Sequence, residues 1–331
     1  MNLQSLRLKE AFNLTLRTMP ILLVRLGVYV VFWLVAMIYL GIAGGLAFLV
    51  GKAVPFLGVI LFLVALGGTV PLYSLAKKYV LYLVKAAHVA VVAELLSRGE
   101  LPAGANQLQW GKDRVQERFG EASIMFVVDE LVEGVIRAFT GAVYSIAAFL
   151  PIDALRSLAN MINRVIRFAL SYVDEAILAR TFWRKEGSVW ANARDGVVLY
   201  GMVWKPLLLN AVALMLLSYI PFLLVMLLFS APISALLSAI SPTVAGWSII
   251  ATLLLAYLVK VAVGDAFAMT AMVASYQREI EGLQPDAQVT AKLEQVSDKF
   301  RELQRRAQEE LSRFGRKAES QPAAEVPPAA S

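Results

Sequence analysis

Hydrophobic positions come in long blocks along this chain. Residues 21–50, 55–76, 203–240 and 243–259 are almost free of charge. Apolar runs of about 18 residues or more mark membrane-spanning helices, because in lipid every backbone polar group must be satisfied within the segment. Runs 21–50 and 55–76 flank the tight turn "GKAVP" and predict a first helical pair. Runs 203–240 and 243–276 predict another, broken near Pro242, with Pro232 ending its first helix early and leaving 233–240 as a short surface segment. Between them, 122–150 and 152–182 read as a less uniform pair, broken at Pro151. Residues 77–98 read as helical but mixed, and the polar stretches 99–120 and 184–202 as loops. The predicted fold is therefore all-α: a polytopic membrane bundle of about six helices in three Pro-broken pairs. The count falls to four if the middle pair lies lower or packs inside.

The ends differ in character. Residues 1–19, with Arg7, Lys9 and Arg17, form an amphipathic segment expected at the membrane interface. Near the other end Val289, Leu293, Val296, Phe300 and Leu303 are spaced 4-3-4-3, with charges of both signs between them. That spacing predicts a coiled-coil-like or amphipathic surface helix over 284–317. From Ala318 onward the composition is that of a disordered tail. The organisation expected is thus 1–19, then pair one with its extension to 98, the polar pair with its loop over 99–183, pair three with its loop over 184–283, the C-terminal helix, and the tail 318–331.

Composition narrows the function classes. Charge is 17% against 59% hydrophobic residues, where a soluble domain carries about 25% charge. The net charge of +6 could suggest nucleic acid, but the basic residues flank apolar runs, so membrane orientation explains them and no nucleic-acid partner is expected. The turn "GKAVP" holds one Lys and "SAPISALLSAISPTVAG" holds no charge, whereas the other side carries Lys77, Lys78, Arg98, Lys112, Arg114, Arg118, Arg184, Lys185 and Arg194. Basic short loops stay cytoplasmic, so both termini are expected there. The chain has no Cys and one His, which excludes disulfides, thiol catalysis and multi-histidine metal sites. No nucleophile elbow, zinc-protease, P-loop or dinucleotide motif is present. Neither an enzyme activity nor a cofactor is expected.

The middle pair is unusual for its charges. Asp129, Glu133 and Arg137 are four apart on one helical face. Beyond Pro151, Arg156, Asn160, Asn163, Arg164 and Arg167 form a second polar stripe. Folding back at Pro151 brings Glu133 near Arg167 and Asp129 level with Ser171 to Asp174. Charges at bilayer depth cost about 2.5–3.5 kcal/mol each, so these should face protein, water or one another. The stripe could line a solute path, sit at the interface with its basic ends snorkelling, or form a partner surface. Asp265 is the best single candidate for an ion- or proton-coupled role if its helix is deep there. Lys260 lies five residues before it, a spacing that stacks poorly on an α-helix. Arg25, one turn into the first apolar helix, is expected to snorkel to headgroups, and His88 to pack rather than titrate. The adjacent Asp174 and Glu175 point about 100° apart on a helix, so they cannot act as a facing carboxylate pair.

A repeat is legible. "YLVK" begins at Tyr82, "YVDE" at Tyr172 and "YLVK" at Tyr257, at offsets of 90 and 85 residues, each after a Pro-broken pair. Trp110, Arg114 and Phe119-Gly120 are echoed by Trp190, Arg194 and Tyr200-Gly201. Three units of about 85 residues in parallel orientation are the expectation.

Residues 82–120, "YLVKAAHVAVVAELLSRGELPAGANQLQWGKDRVQERFG", resemble segments of bacterial polytopic families related to the membrane domain of glycerophosphodiester phosphodiesterases. The resemblance implies a multi-helix membrane domain without its own catalytic centre, and it carries no functional residue across. The sequence thus points to a multi-pass protein of the bacterial cytoplasmic membrane. Its partner is the lipid bilayer, with a protein partner or self-association through the C-terminal helix. Two functions are open: a non-enzymatic scaffold that recruits partners, or a small-solute or ion permease using the polar middle pair.

Overall fold

The computed structural model describes residues 6–76, 80–120, 122–147, 170–184 and 187–319. These residues form helices and irregular connections, and no strand occurs among them. The helices are α1 (Leu8–Arg17), α2 (Met19–Ala53), α3 (Pro55–Ala76), α4 (Tyr82–Arg98), α5 (Gln107–Phe119) and α6 (Ala122–Ala147). Later in the chain come α7 (Val173–Trp183), α8 (Val189–Leu217), α9 (Ile220–Ile240), the short α10 (Pro242–Ala245), α11 (Ser248–Val259), α12 (Asp265–Glu279), α13 (Ala287–Val296) and α14 (Asp298–Glu319).

Two apolar hairpins stand apart from the rest. The helices α2 and α3 pack along each other around the turn at Val54, and α9 packs on α11. Their large side chains point outward: Leu46, Phe56, Leu227 and Ile249 are all exposed. By length and composition, three segments among the described residues can cross a membrane: Met19–Ala53, Val189–Ile240 and Ser248–Glu279. Pro55–Pro71 is a shorter apolar helix beside the first. Pro232 does not end α9, which continues to Ile240. One lost backbone hydrogen bond is tolerated where the surrounding helix and its neighbour hold the chain.

The remaining helices make a body with an ordinary hydrophobic core. Helices α4, α7, α8 and α12 pack on one another at its centre, with α5 against α4, α1 against α12, and α6 against α8 and α7. Val128, Leu131, Val132, Val135 and Ile136 of α6 are buried there. The described helix of the middle pair therefore gives its apolar face to the body. Both regions expected as polar loops contain helices. Asn106 starts α5 by accepting from the Gln109 amide at 3.0 Å, and Ser188 starts α8 by accepting from the Ala191 amide at 3.0 Å, each satisfying an orphan N–H of a helix start.

The C-terminal heptad spacing belongs to two helices, not one. Ser297 is extended (φ −143°, ψ 113°) and breaks the run between α13 and α14. Leu293, Phe300, Leu303 and Ala307 are buried, because α14 packs on α8 and α6 and α13 on the same pair. Val296, which the spacing placed on the same seam, is 40% exposed, since the break at Ser297 turns it away. The chain's own body occupies this seam.

Candidate functional site

The three Tyr-started segments meet at the root of the hairpins. Tyr82 opens α4, Tyr172 immediately precedes α7, and Tyr257 lies near the end of α11, ahead of α12; α4, α7 and α12 pack mutually. Each segment places a charged residue three positions after its Tyr: Lys85, Glu175 and Lys260. These positions converge on a polar cluster inside an otherwise apolar core.

In its first half, the Lys85 ammonium is ion-paired with Glu175 of α7. Asp174 and Glu175 are both buried in the first turn of α7, where the helix dipole favours negative charge. Asp174 turns back to accept from the Glu175 amide at 2.8 Å. Asp129 of α6 reaches the same pocket, where the Tyr82 hydroxyl faces its carboxylate and also donates to the Met125 carbonyl at 3.1 Å. Three carboxylates thus share one ammonium. Burial raises Asp129 to about 7, Lys85 opposing and Glu175 and Glu133 adding to the rise. Asp174 is pushed well above the usual carboxylate range by burial and by Asp129 beside it. Burial works against the charge on Lys85, but Glu175, Asp174 and Asp129 outweigh it and raise its pKa. Desolvation and like charge push these carboxyls toward holding a proton.

The second half surrounds Asp265. Its Oδ1 accepts from the Lys260 Nζ at 2.6 Å and from the Tyr172 hydroxyl at 2.7 Å. The Ser218 hydroxyl lies 3.4 Å from Tyr172, and the Lys260 ammonium stands 4.7 Å from the centre of the Tyr219 ring. The five-residue spacing of Lys260 and Asp265 does form an ion pair, contrary to the α-helical expectation. The reason is local: residues Lys260–Gly264 form a π-helical turn, whose wider i→i+5 pattern brings residues five apart onto one face. At this turn Gly264 lies so close to α8 that a Cβ would overlap the Ser218 carbonyl.

Arg25 does not reach the surface. It is 6% exposed, and its Nη1 makes no hydrogen bond. It lies close enough to act electrostatically on both Glu175 and His88. His88 is fully buried with Nε2 at 3.0 Å from the Thr18 hydroxyl. Burial, with Arg25 nearby, lowers it to about 3, which keeps the imidazole neutral.

Of the residues singled out from the sequence, Asp129 and Asp174 come together, and Asp265 sits beside them on the neighbouring helix. Glu133 and Arg137 do not join them: they pair with each other across one turn on the exposed side of α6. Arg164 and Arg167 lie outside the described residues. Sequence reasoning missed Lys85, Glu175 as its partner, and Tyr172. The signal was available in the repeat, since the shared Tyr-plus-three position marks all three charged contacts. Among the described residues no group of three or more His, Cys, Asp or Glu is arranged to hold a metal ion. The cluster can store protons and fix helices; it presents no nucleophile–base pair. No protein-family model, curated protein or solved structure matches the chain.

Proposed function

We propose that this is a non-enzymatic scaffold anchored in the bacterial cytoplasmic membrane, with the hairpins α2–α3 and α9–α11 spanning the bilayer four times and the helical body on the cytoplasmic side. One observation carries the reading: polar candidates and apolar exposure are segregated. The hairpin segments 27–76 and 206–259 hold one charged residue, Lys52. Asp129, Asp174 and Asp265 lie in the body or at its junction with the hairpins, and Glu133 and Arg137 pair on its surface. A permease would need polar groups along the apolar zone. Both hairpins return to the body, which accounts for an even number of crossings.

With its apolar seam buried on α6 and α8, the C-terminal pair α13–α14 presents its charged face. Asp298, Arg301, Arg305 and Glu309 are exposed there. We assign partner recruitment to this face and to the cytoplasmic loops.

The chain lacks Cys, so single cysteines report topology directly. Cys in place of Ser241, at the α9–α10 turn, should react with an impermeant maleimide in intact cells. Cys in place of Gln284 should react only after permeabilisation. Labelling of the second site from outside would overturn the orientation. Proteoliposomes of the purified chain should show no solute or ion flux. A flux that Glu133→Gln abolishes would decide for the permease.

A further inference from the structure

The far end of the body holds a cavity that the anchoring reading does not use. Helix α12 rises about 21 Å from Asp265 to Glu279 at about 1.5 Å per residue, away from the hairpins. At that end a cavity of about 310 Å³ opens between the last turns of α7 and α12 and the loop 280–284. Its walls include Arg180, Trp183, Arg184, Gln277, Arg278 and Glu281.

Arginines near helix C-termini commonly serve to cap the last carbonyls. Here that work is done from elsewhere. Arg118 of α5 donates to the carbonyls of Thr181 at 2.7 Å, Arg184 at 2.8 Å and Gly187 at 3.2 Å. Arg180 of α7 and Arg184, just past its end, are left for another purpose. Arg180 is 5% exposed, and its Nη1 donates to the Asn192 carbonyl at 2.8 Å and side-chain oxygen at 3.3 Å. Its Nε and Nη2 hold no hydrogen bond among the described residues. The exposed Arg184 guanidinium likewise holds no ion pair among them. The nearby Asp195 is engaged by Arg194 at 2.6 Å. Arg180 and Arg184 therefore face one lining carboxylate, Glu281, while Arg278 in the same wall also has Glu10 and Glu279 near it. Burial holds Arg180 below its ordinary range, and Arg184 and Arg194 push the same way against the partial compensation of Tyr276 and Asp195.

We infer that this cavity is a binding site for a small phosphate-bearing anion, gripped by Arg180 of α7 and by Arg184 just past its end, with Arg278 of α12 in the wall. The guanidinium fork matches phosphate oxygens two at a time. A desolvated cation short of counter-charge is stabilised by an anion that supplies it. The volume stands at the lower end of the ~300–1,000 Å³ typical of ligand cavities, which fits a phosphate with a small organic group. The position, a helix length from the hairpins, favours a ligand from the aqueous phase over a lipid headgroup of the same chemistry.

Calorimetric titration of the detergent-solubilised full chain with inorganic pyrophosphate tests the site. One saturable site is expected. Arg180→Gln also removes the bonds to Asn192, so the exposed Arg184 carries the test. Arg184→Gln should weaken pyrophosphate at least tenfold with an unchanged melting temperature. The charge-matched control Lys112→Gln, exposed on α5, should leave the affinity as it was. Absence of saturable binding overturns the proposal, as does equal affinity in Arg184→Gln and Lys112→Gln. Repeating the titration in nanodiscs with and without phosphatidic acid separates the two sources. Unchanged affinity supports a soluble ligand, and a tenfold loss that needs Arg184 overturns that source in favour of a headgroup.

Discussion

The hairpins and the body obey opposite burial rules although both are all helix. In α9, Leu227 is 77% exposed, whereas in α14 Leu303 is fully buried. A sheath of lipid satisfies Leu227, so the hairpin has no need to bury it. Between its helices the hairpin relies on close approach instead: a Cβ on Gly58 would stand 2.6 Å from the Ala47 carbonyl, the small-residue packing expected where there is no hydrophobic drive between helices. The body packs apolar side chains away from water in the usual way. It can also enclose Lys85 with Glu175, because neighbouring helices supply the partners. Long apolar sequence therefore signals solvent, and buried apolar sequence signals fold.

This contrast is open to direct attack. The largest effect should come from Leu303→Ala, which leaves a cavity under α14 and should cost about 2–5 kcal/mol; thermal melting in detergent and protease release of the C-terminal helices measure it. Next is Gly264→Val, where the added side chain meets the Ser218 carbonyl at the π turn. About 1–3 kcal/mol of strain is expected, with loss of the Lys260–Asp265 pair, visible as a lowered melting temperature that Gly264→Ser only partly reproduces. Lys85→Met strips Glu175 of its partner. Because Lys85 is itself partly exposed, a loss of roughly 2 kcal/mol is expected, between the surface and fully buried limits, and adding Glu175→Gln should restore much of it.

A smaller effect sharpens the account of the charged cluster through pH. Asp129 holds its proton up to about 7 in the fold, whereas an unfolded Asp loses it near ~3.9. The folded state therefore binds more protons in between, and this contribution to stability falls as pH rises from about 4 to 7. Asp129→Asn should raise the melting temperature at pH 8 relative to the wild type, with the gain shrinking toward pH 5. His88 acts in the opposite sense. Its folded value near 3 lies below the ordinary one, so its contribution is present above about 6.5 and is lost as pH falls. His88→Gln should flatten the acid limb alone. An unaltered pH profile in Asp129→Asn would show that this carboxyl does not take up a proton in the fold. Smallest of all, Leu227→Ala should stay within about 0.5 kcal/mol in detergent. A loss comparable to Leu303→Ala would show that α9 faces protein rather than lipid.

Much of the fold was readable in advance, in proportion to how local its signals are. The turns at Val54 and Pro242 and the helical hairpins around them follow from apolar runs and their breaks. The helices α5 and α8 were legible in principle, through Asn106 and Ser188, but the polar composition after each cap hid them. The C-terminal spacing correctly marked Leu293, Phe300 and Leu303 as one apolar face. It could not say that this face meets α6 and α8 of the same chain, nor that Ser297 breaks the run. The charged cluster was half legible: register counting brought Asp129 level with Asp174, while Lys85 was overlooked because its partner lies 90 residues away.

The sequence by itself determined the helical class, the apolar hairpins and the Tyr-started segments, because composition, period and residue type are local properties. Only the tertiary structure decided which charges meet. Lys85 with Glu175, Tyr172 with Asp265 and Arg118 with the carbonyls that end α7 each depend on where separate helices cross, and a crossing is set by packing over the whole body.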